Sequence, residues 1–188
     1  LYDGSRDAFF RDLGQMPFEA VARKYFPNGN GHPTINKYMT AFRKFCKRIK
    51  ELGLSIPAWI CFIKYNFCSK QVIRKKKIPV INLKHSIIQL DKGAKMIMNG
   101  RLRIGEKQVR KSKLETRLLV EKNAVLNVKR DVTVCAGSYI RVIKNGTITI
   151  EGGGYINEHV QITGDDITVG RDCLLARDVI IRSYDAHW

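Results

Sequence analysis

The sequence predicts a mainly β protein whose short strands wind into a triangular coil, preceded by N-terminal α-helices. Three observations carry this. Up to residue 78 the apolar residues recur at steps of three and four, the spacing of one helix face. After Pro79 they fall in short β-rich runs, such as 86–90, 132–134 and 147–150, broken by Lys-Gly, Asn-Gly and Gly-Gly turns. Across those runs they also keep a step of six.

Residues 1–35 hold a short helical pattern through Phe9, Phe10 and Leu13, then Phe18, Val21, Ala22 and Tyr25, closed by Pro27 and Asn28-Gly29-Asn30-Gly31. This reads as a separate helical segment and linker, fitting the tail of an upstream domain. Residues 36–78 form a basic amphipathic region. Tyr38, Phe42, Phe45 and Ile49 follow at spacings of four, three and four, with Arg43, Lys44, Lys47, Arg48 and Lys50 on the other faces and Gly53 at the end. A second apolar segment runs from Ile56 through Trp59, Phe62, Ile63 and Phe67 to the cluster Arg74-Lys75-Lys76-Lys77. Two readings of it stand together. It can cap the domain that follows, and it can lie in a membrane interface, aromatic residues buried and basic residues facing anionic headgroups.

From Leu90 the step of six visits Leu90, Met96, Leu102, Gln108, Leu114, Val120, Leu126, Val132, Ser138, Lys144, Ile150, Ile156 and Ile162. Ten of these thirteen are apolar, against about six expected from a 44% hydrophobic composition. A one-residue slip falls at Gly164-Asp165-Asp166, after which Val169, Leu175 and Ile181 keep the step, with Cys173 and Val179 as a second set. Physically, three strands of about six residues with their corners make a coil of about 18, each coil burying its apolar rung only against its neighbours. Small residues after inward aliphatics, as in Val169-Gly170 and Leu175-Ala176, are expected to relieve crowding at corners. A β-sandwich would give alternation at two without a six-step register.

The length of 188 residues, 27% charged residues and mean hydropathy of -0.23 exclude a disordered tail, and no apolar run reaches the roughly 20 residues of a membrane-spanning helix. The chain opens at Leu1 rather than Met and is read as a piece of a longer reading frame. Its net charge of +17 is uneven. Residues 1–35 are neutral, 36–130 carry 25 Lys and Arg against five Asp and Glu, and 131–188 are net negative by three. Such a block suits a polyanion or phosphate-bearing partner, and equally a solvated basic face. Cys46, Cys61, Cys68, Cys135 and Cys173 are odd in number, widely spaced and without a CxxC pair, which argues against a disulfide framework and a thiolate zinc site and fits a reducing compartment. Cys135 and Cys173, in apolar stretches, are expected as small buried hydrophobes.

The run Ile167-Thr-Val-Gly-Arg-Asp-Cys-Leu-Leu-Ala-Arg-Asp-Val-Ile-Ile-Arg-Ser-Tyr-Asp-Ala-His187 resembles the hexapeptide-repeat acyltransferases, in particular their sugar and capsular polysaccharide O-acetyltransferase branch. The resemblance covers about residues 80–188. It implies a left-handed parallel β-helix over 79–188, missing at its C-terminus the further coils that complete the cofactor groove of relatives, so that cofactor-binding residues are not assigned. It also implies an acetyl-CoA-dependent O-acetyltransferase acting on a sugar or glycan hydroxyl, with the acceptor on a lipid carrier at the inner membrane face of the cytoplasm, no metal, and a homotrimer with sites between subunits.

By the same resemblance His187 is the catalytic base, since imidazole can take a hydroxyl proton at neutral pH. Asn157 precedes it by the interval that the family keeps between its asparagine and its base, and so is expected near it in the stacked coils. There it orients the substrate or stabilises the developing oxyanion; it reads equally well as a member of an asparagine ladder. Asp185 accepts from the imidazole or closes a turn. His159, with His85 and His32, shows no metal-ligand spacing and reads as a lone surface histidine, which disfavours the three-histidine zinc use of this fold. A different class of function remains beside the enzyme: a non-catalytic basic β-solenoid binding nucleic acid or an anionic membrane surface. Nucleic acid is not an expected partner of the enzyme itself.

Overall fold

A computed structural model describes Gln15, Thr40, Arg43, Lys44, residues 46–49, Leu52, and then 55–75, 78–109 and 112–184. The chain divides into two units, Leu1–Arg48 and Ile49–Trp188. In the first unit the described residues are helical, and Arg43, Lys44 and Lys47 of the expected amphipathic helix are exposed, with Arg48 half-buried. Tyr38, Phe42 and Phe45 of that helix, the earlier pattern from Phe9 to Tyr25 and the linker Asn28-Gly31 lie outside the described residues.

The second unit begins with α1 (Ile56–Ile63), entered through Pro57, and continues into a wider π-helical turn (Lys64–Cys68). Thirteen strands follow among the described residues. They are β1 (Val72–Arg74), β2 (Val80–Asn82), β3 (Ser86–Leu90), β4 (Lys95–Met98), β5 (Leu102–Glu106), β6 (Thr116–Val120), β7 (Val125–Val128), β8 (Val132–Cys135), β9 (Tyr139–Ile150), β10 (Tyr155–Ile156), β11 (Gln161–Val169), β12 (Leu174–Leu175) and β13 (Ile180–Arg182). The unit is mainly β, its parallel sheets curled as a half-barrel around one apolar core.

Every strand pairing among the described residues is parallel, and the pairings fall in three rows. One row is β3, β6, the first half of β9, the first half of β11 and β13. The second is β1, β4, β7 and the second halves of β9 and β11. The third is β2, β5, β8, β10 and β12. The chain visits the rows in rotation, so each residue stacks on its counterpart one passage earlier.

That register explains the apolar step. In the first row Ile88, Leu118, Ile140 and Ile162 stack in line; in the second, Met96, Leu126, Ile148 and Ile167; in the third, Ile104, Val134 and Ile156. All are buried, because alternate residues of each short strand turn inward and each rung is covered by the next. Leu175 and Ile181, on the last passage, are half-buried against the same core. Of the thirteen six-step positions nine are buried and Leu90 is half-buried.

Leu114, expected inside, is exposed, as are the polar step positions Gln108 and Lys144. The reason is coil length. Val80 pairs with Leu102, Leu102 with Val132, Thr133 with Tyr155, and Tyr155 with Leu174. Each of these intervals exceeds three steps of six, and only the last comes within one residue of it. The interval from Leu102 to Val132 is the longest, and it carries an excursion between β5 and β6 that includes Gln108 and Leu114. Lys144 lies where β9 turns from one row to the next, and the β9–β11 register shifts there, between Gly164 and Asp166, at the slip legible in the sequence.

The corner glycines also differ from expectation. A Cβ on Gly170 would meet nothing within 4 Å, and Ala176 is exposed. Crowding falls instead at Gly100, where a Cβ would lie 2.0 Å from the backbone carbon of Arg130 on the following coil. Gly170 is on the last described coils.

The start of the coil is closed by α1 and the π turn, the capping role expected of this segment. Ala58 and Phe62 pack inward with Leu52, and Trp59 and Ile78 lie against them. Asn66, fully buried, donates through Nδ2 to Val80 O at 2.7 Å and Phe62 O at 2.8 Å, and its Oδ1 accepts from Val80 N at 3.0 Å. Asn82 donates to Ala58 O at 3.0 Å, and the Tyr65 hydroxyl to Ile88 O at 2.6 Å. Among the described residues no helix is long and apolar enough to cross a membrane.

Candidate functional site

Asn157 follows β10 at the corner where the chain passes from the third row to the first. Its backbone is fixed on both sides: Asn157 N donates to Leu175 O at 3.1 Å, and its carbonyl accepts from Ser138 Oγ at 2.7 Å. Its side chain is also held. Oδ1 accepts from Gln108 Nε2 at 2.5 Å and from Glu158 N at 2.8 Å. Both bonds fall on the oxygen, so Nδ2 remains free to donate among the described residues.

Gln108 reaches Asn157 because the excursion between β5 and β6 folds back over the later coils. Its backbone N also donates to Glu158 Oε1 at 3.3 Å. Glu158 is a buried carboxylate, 2% exposed, and such a charge requires partners. Arg177, from the next coil, supplies one at 2.5 Å from Oε2. Beside them the Cys135 thiol donates to the Tyr155 hydroxyl.

His159 sits on the same corner with Nδ1 3.3 Å from Asp178 Oδ1. By register His85, Glu115, Gly137, His159 and Asp178 occupy one corner line on successive coils, and a Cβ on Gly137 would lie 2.4 Å from the His159 ring. His159 is therefore a half-exposed histidine with a carboxylate partner rather than a lone one. His85 lies further back along that line, and its pKa is lowered, first by desolvation and then by Lys107, Lys84 and Lys113. His32 lies outside the described residues.

The asparagine ladder exists, but elsewhere. Asn123 Nδ2 donates to Asn145 Oδ1 at 3.4 Å, both residues at positive φ, on the corner between the first and second rows. Asn157 is not part of it.

His187 and Asp185 lie outside the described residues. Gln161 pairs with Ile180 and Tyr155 with Leu174, so one coil on from Asn157 the register arrives at Ala176. Ser183, whose Oγ accepts from Asp165 N at 2.9 Å, belongs to the corner between the first and second rows. The strand between the two corners runs from Gln161 to Gly164, a separation of about 13 Å at roughly 3.3 Å per residue.

All five cysteines are free thiols. Burial pushes Cys61 up to about 11, and burial also raises Cys135 despite its bond to Tyr155. A raised pKa lowers the thiolate fraction near neutral pH, about tenfold per unit. Maleimide under those conditions is expected to label the exposed Cys46 and Cys68 and to spare Cys61 and Cys135 until the protein is unfolded, as peptide mass mapping would report. Labelling of Cys135 at the rate of a free thiol would show that the Asn157 corner opens.

Several of these residues were not legible as site residues in the sequence. Gln108 and Asn157 are 49 positions apart, and Glu158 and Arg177 are 19 apart, a distance that becomes a signal only once the coil length is known. Comparison with protein-family models, curated proteins and solved structures returns no match.

Proposed function

We propose that the three rows are the faces of a left-handed parallel β-helix of the hexapeptide-repeat type, and that the chain is an acetyl-CoA-dependent O-acetyltransferase acting on a hydroxyl of a sugar or glycan precursor. The observation that carries this reading is Asn157: its amide oxygen is pinned by Gln108 and Glu158 N while its amide nitrogen is left to donate. A donor held in this way costs no reorganisation when an oxyanion develops. The rotation of parallel strands through three rows and the resemblance of 167–187 to the family support the same reading.

In the reaction His187 takes the proton of the acceptor hydroxyl as its oxygen attacks the thioester carbonyl carbon. The carbonyl oxygen gains the negative charge and is met by Asn157 Nδ2. Collapse of the tetrahedral species breaks the carbon–sulfur bond, and the departing thiolate recovers a proton from the imidazolium. The acetyl group passes directly to the acceptor, so no acyl-enzyme forms.

Asn157 and Ser183 stand at different corners of one protomer, which supports a site that draws Asn157 and His187 from different subunits. The two groups meet where two protomers of a homotrimer face each other, each site drawing Asn157 from one and His187 from the next.

Thiol release from acetyl-CoA with a panel of sugar acceptors tests the reading. Release is expected to depend on acceptor and to fall about 10²- to 10³-fold in Asn157→Ala, the loss typical of one oxyanion donor. Release at the wild-type rate in that variant, or release indifferent to acceptor, overturns it. Polyanion binding that weakens steeply with salt, with no acyl transfer, would favour the non-catalytic basic solenoid.

A further inference from the structure

The cap leaves an apolar face uncovered. Ala58 and Phe62 turn inward, but Ile56, Ile60, Ile63 and Phe67, at spacings of four, three and four, are 73%, 61%, 48% and 56% exposed. Ile73 on β1 is 51% exposed. Single exposed aliphatics are ordinary on a protein surface, as at Ile87, Val109 and Leu174 here; four along one helical stripe are not.

The rim of this stripe is cationic. The Arg74 guanidinium lies 5.9 Å from the centre of the Phe67 ring, the Lys64 ammonium 5.2 Å from that of Tyr65, and Lys70 and Lys75 are exposed nearby in sequence. Residues 52–90 contain seven Lys and Arg and no Asp or Glu. An apolar stripe edged by one sign of charge matches one chemistry: acyl chains beneath anionic headgroups. A nucleic acid would use the cations and leave the isoleucines in water. With its single short run of turns, Ile56–Ile63, α1 can lie in the headgroup region and is too short to span it.

We propose that the outer face of α1, with Phe67, Ile73 and Arg74, docks the protein onto an anionic lipid bilayer. Docking needs neither Asn157 nor His187 and stands apart from the acyl-transfer reading.

Sedimentation of the full chain with phosphatidylglycerol-rich vesicles, and with phosphatidylcholine vesicles, tests it. The protein is expected to pellet with the anionic vesicles and to stay in solution with the neutral ones. Ile56→Ser/Ile60→Ser/Phe67→Ser and, separately, Arg74→Glu/Lys75→Glu are each expected to lower the partition coefficient at least about tenfold. All five side chains are exposed, so both variants should keep the wild-type unfolding midpoint, and two independent variants guard against a folding defect in one. The proposal is overturned if the wild type ignores anionic vesicles, if either variant binds them as well as the wild type does, or if the same residues retain a nucleic-acid duplex while vesicles leave the protein in solution.

Discussion

Replacing Asn66 with alanine is expected to lower the free energy of unfolding by about 3 kcal/mol. The side chain is fully buried and makes three hydrogen bonds, two of them to the backbone N and O of Val80. Alanine would remove the partner of Val80 N, in a site at the junction of cap and coil. An orphaned buried amide costs about 1–3 kcal/mol by itself, and the loss of donor contacts at Val80 O and Phe62 O adds to it. The same side chain joins the π turn to β2, so its loss should loosen the cap as well as weaken the coil. Urea unfolding followed by far-UV circular dichroism measures the effect. A slope unchanged from wild type would show that cap and coil unfold together; a loss under about 1 kcal/mol would mean that the cap is not anchored through Asn66.

The strands were legible because their physics is local and repeated. Ser86–Leu90 is β3 with the bounds that its β-rich run suggests, and the inward positions from Val120 to Val132 and from Ile150 to Ile162 follow from a step that any short-strand coil must keep. What the step cannot reveal is an excursion that returns in phase. The longest coil runs from Leu102 to Val132, a whole number of six-steps, so these two stay in register while Gln108 and Leu114 between them leave the core. The single residue by which the coil of β11 exceeds three six-steps breaks the phase, and there, at Gly164-Asp165-Asp166, the sequence does show a slip.

The candidate site was less legible, for the same reason. Asn157 stands out through its spacing to His187, not through the neighbours that hold it, and Gln108 reaches it only because the excursion folds back over the later coils. The nearness of Asn157 and His187 is what the resemblance implies, and His187 lies outside the described residues. Tyr155 stacks on Leu174 and Gln161 on Ile180, a coil of 19 residues. Ion pairs between stacked residues, such as His159 with Asp178 and Glu158 with Arg177, follow directly from that register once it is known.

The shared-site geometry makes an expectation that a site within one protomer would not. His187→Ala is expected to lower kcat about 10²- to 10⁴-fold, the usual contribution of a general base, with KM for acetyl-CoA little changed. Asn157→Ala falls by the oxyanion contribution instead, and the double variant should lose less than the product of the two, because both groups act on one transition state. If each site takes Asn157 from one protomer and His187 from its neighbour, mixed trimers of the two single variants regain intact interfaces. Random assembly of equal amounts leaves about a quarter of interfaces with both groups present, so the mixture should recover about a quarter of wild-type activity. The unmixed variants, assayed separately, stay at their own low rates. If the mixture shows no recovery although mixed trimers form, as tagged co-purification would establish, the two groups do not meet across a subunit boundary, and a role for Asn157 together with His187 fails with it.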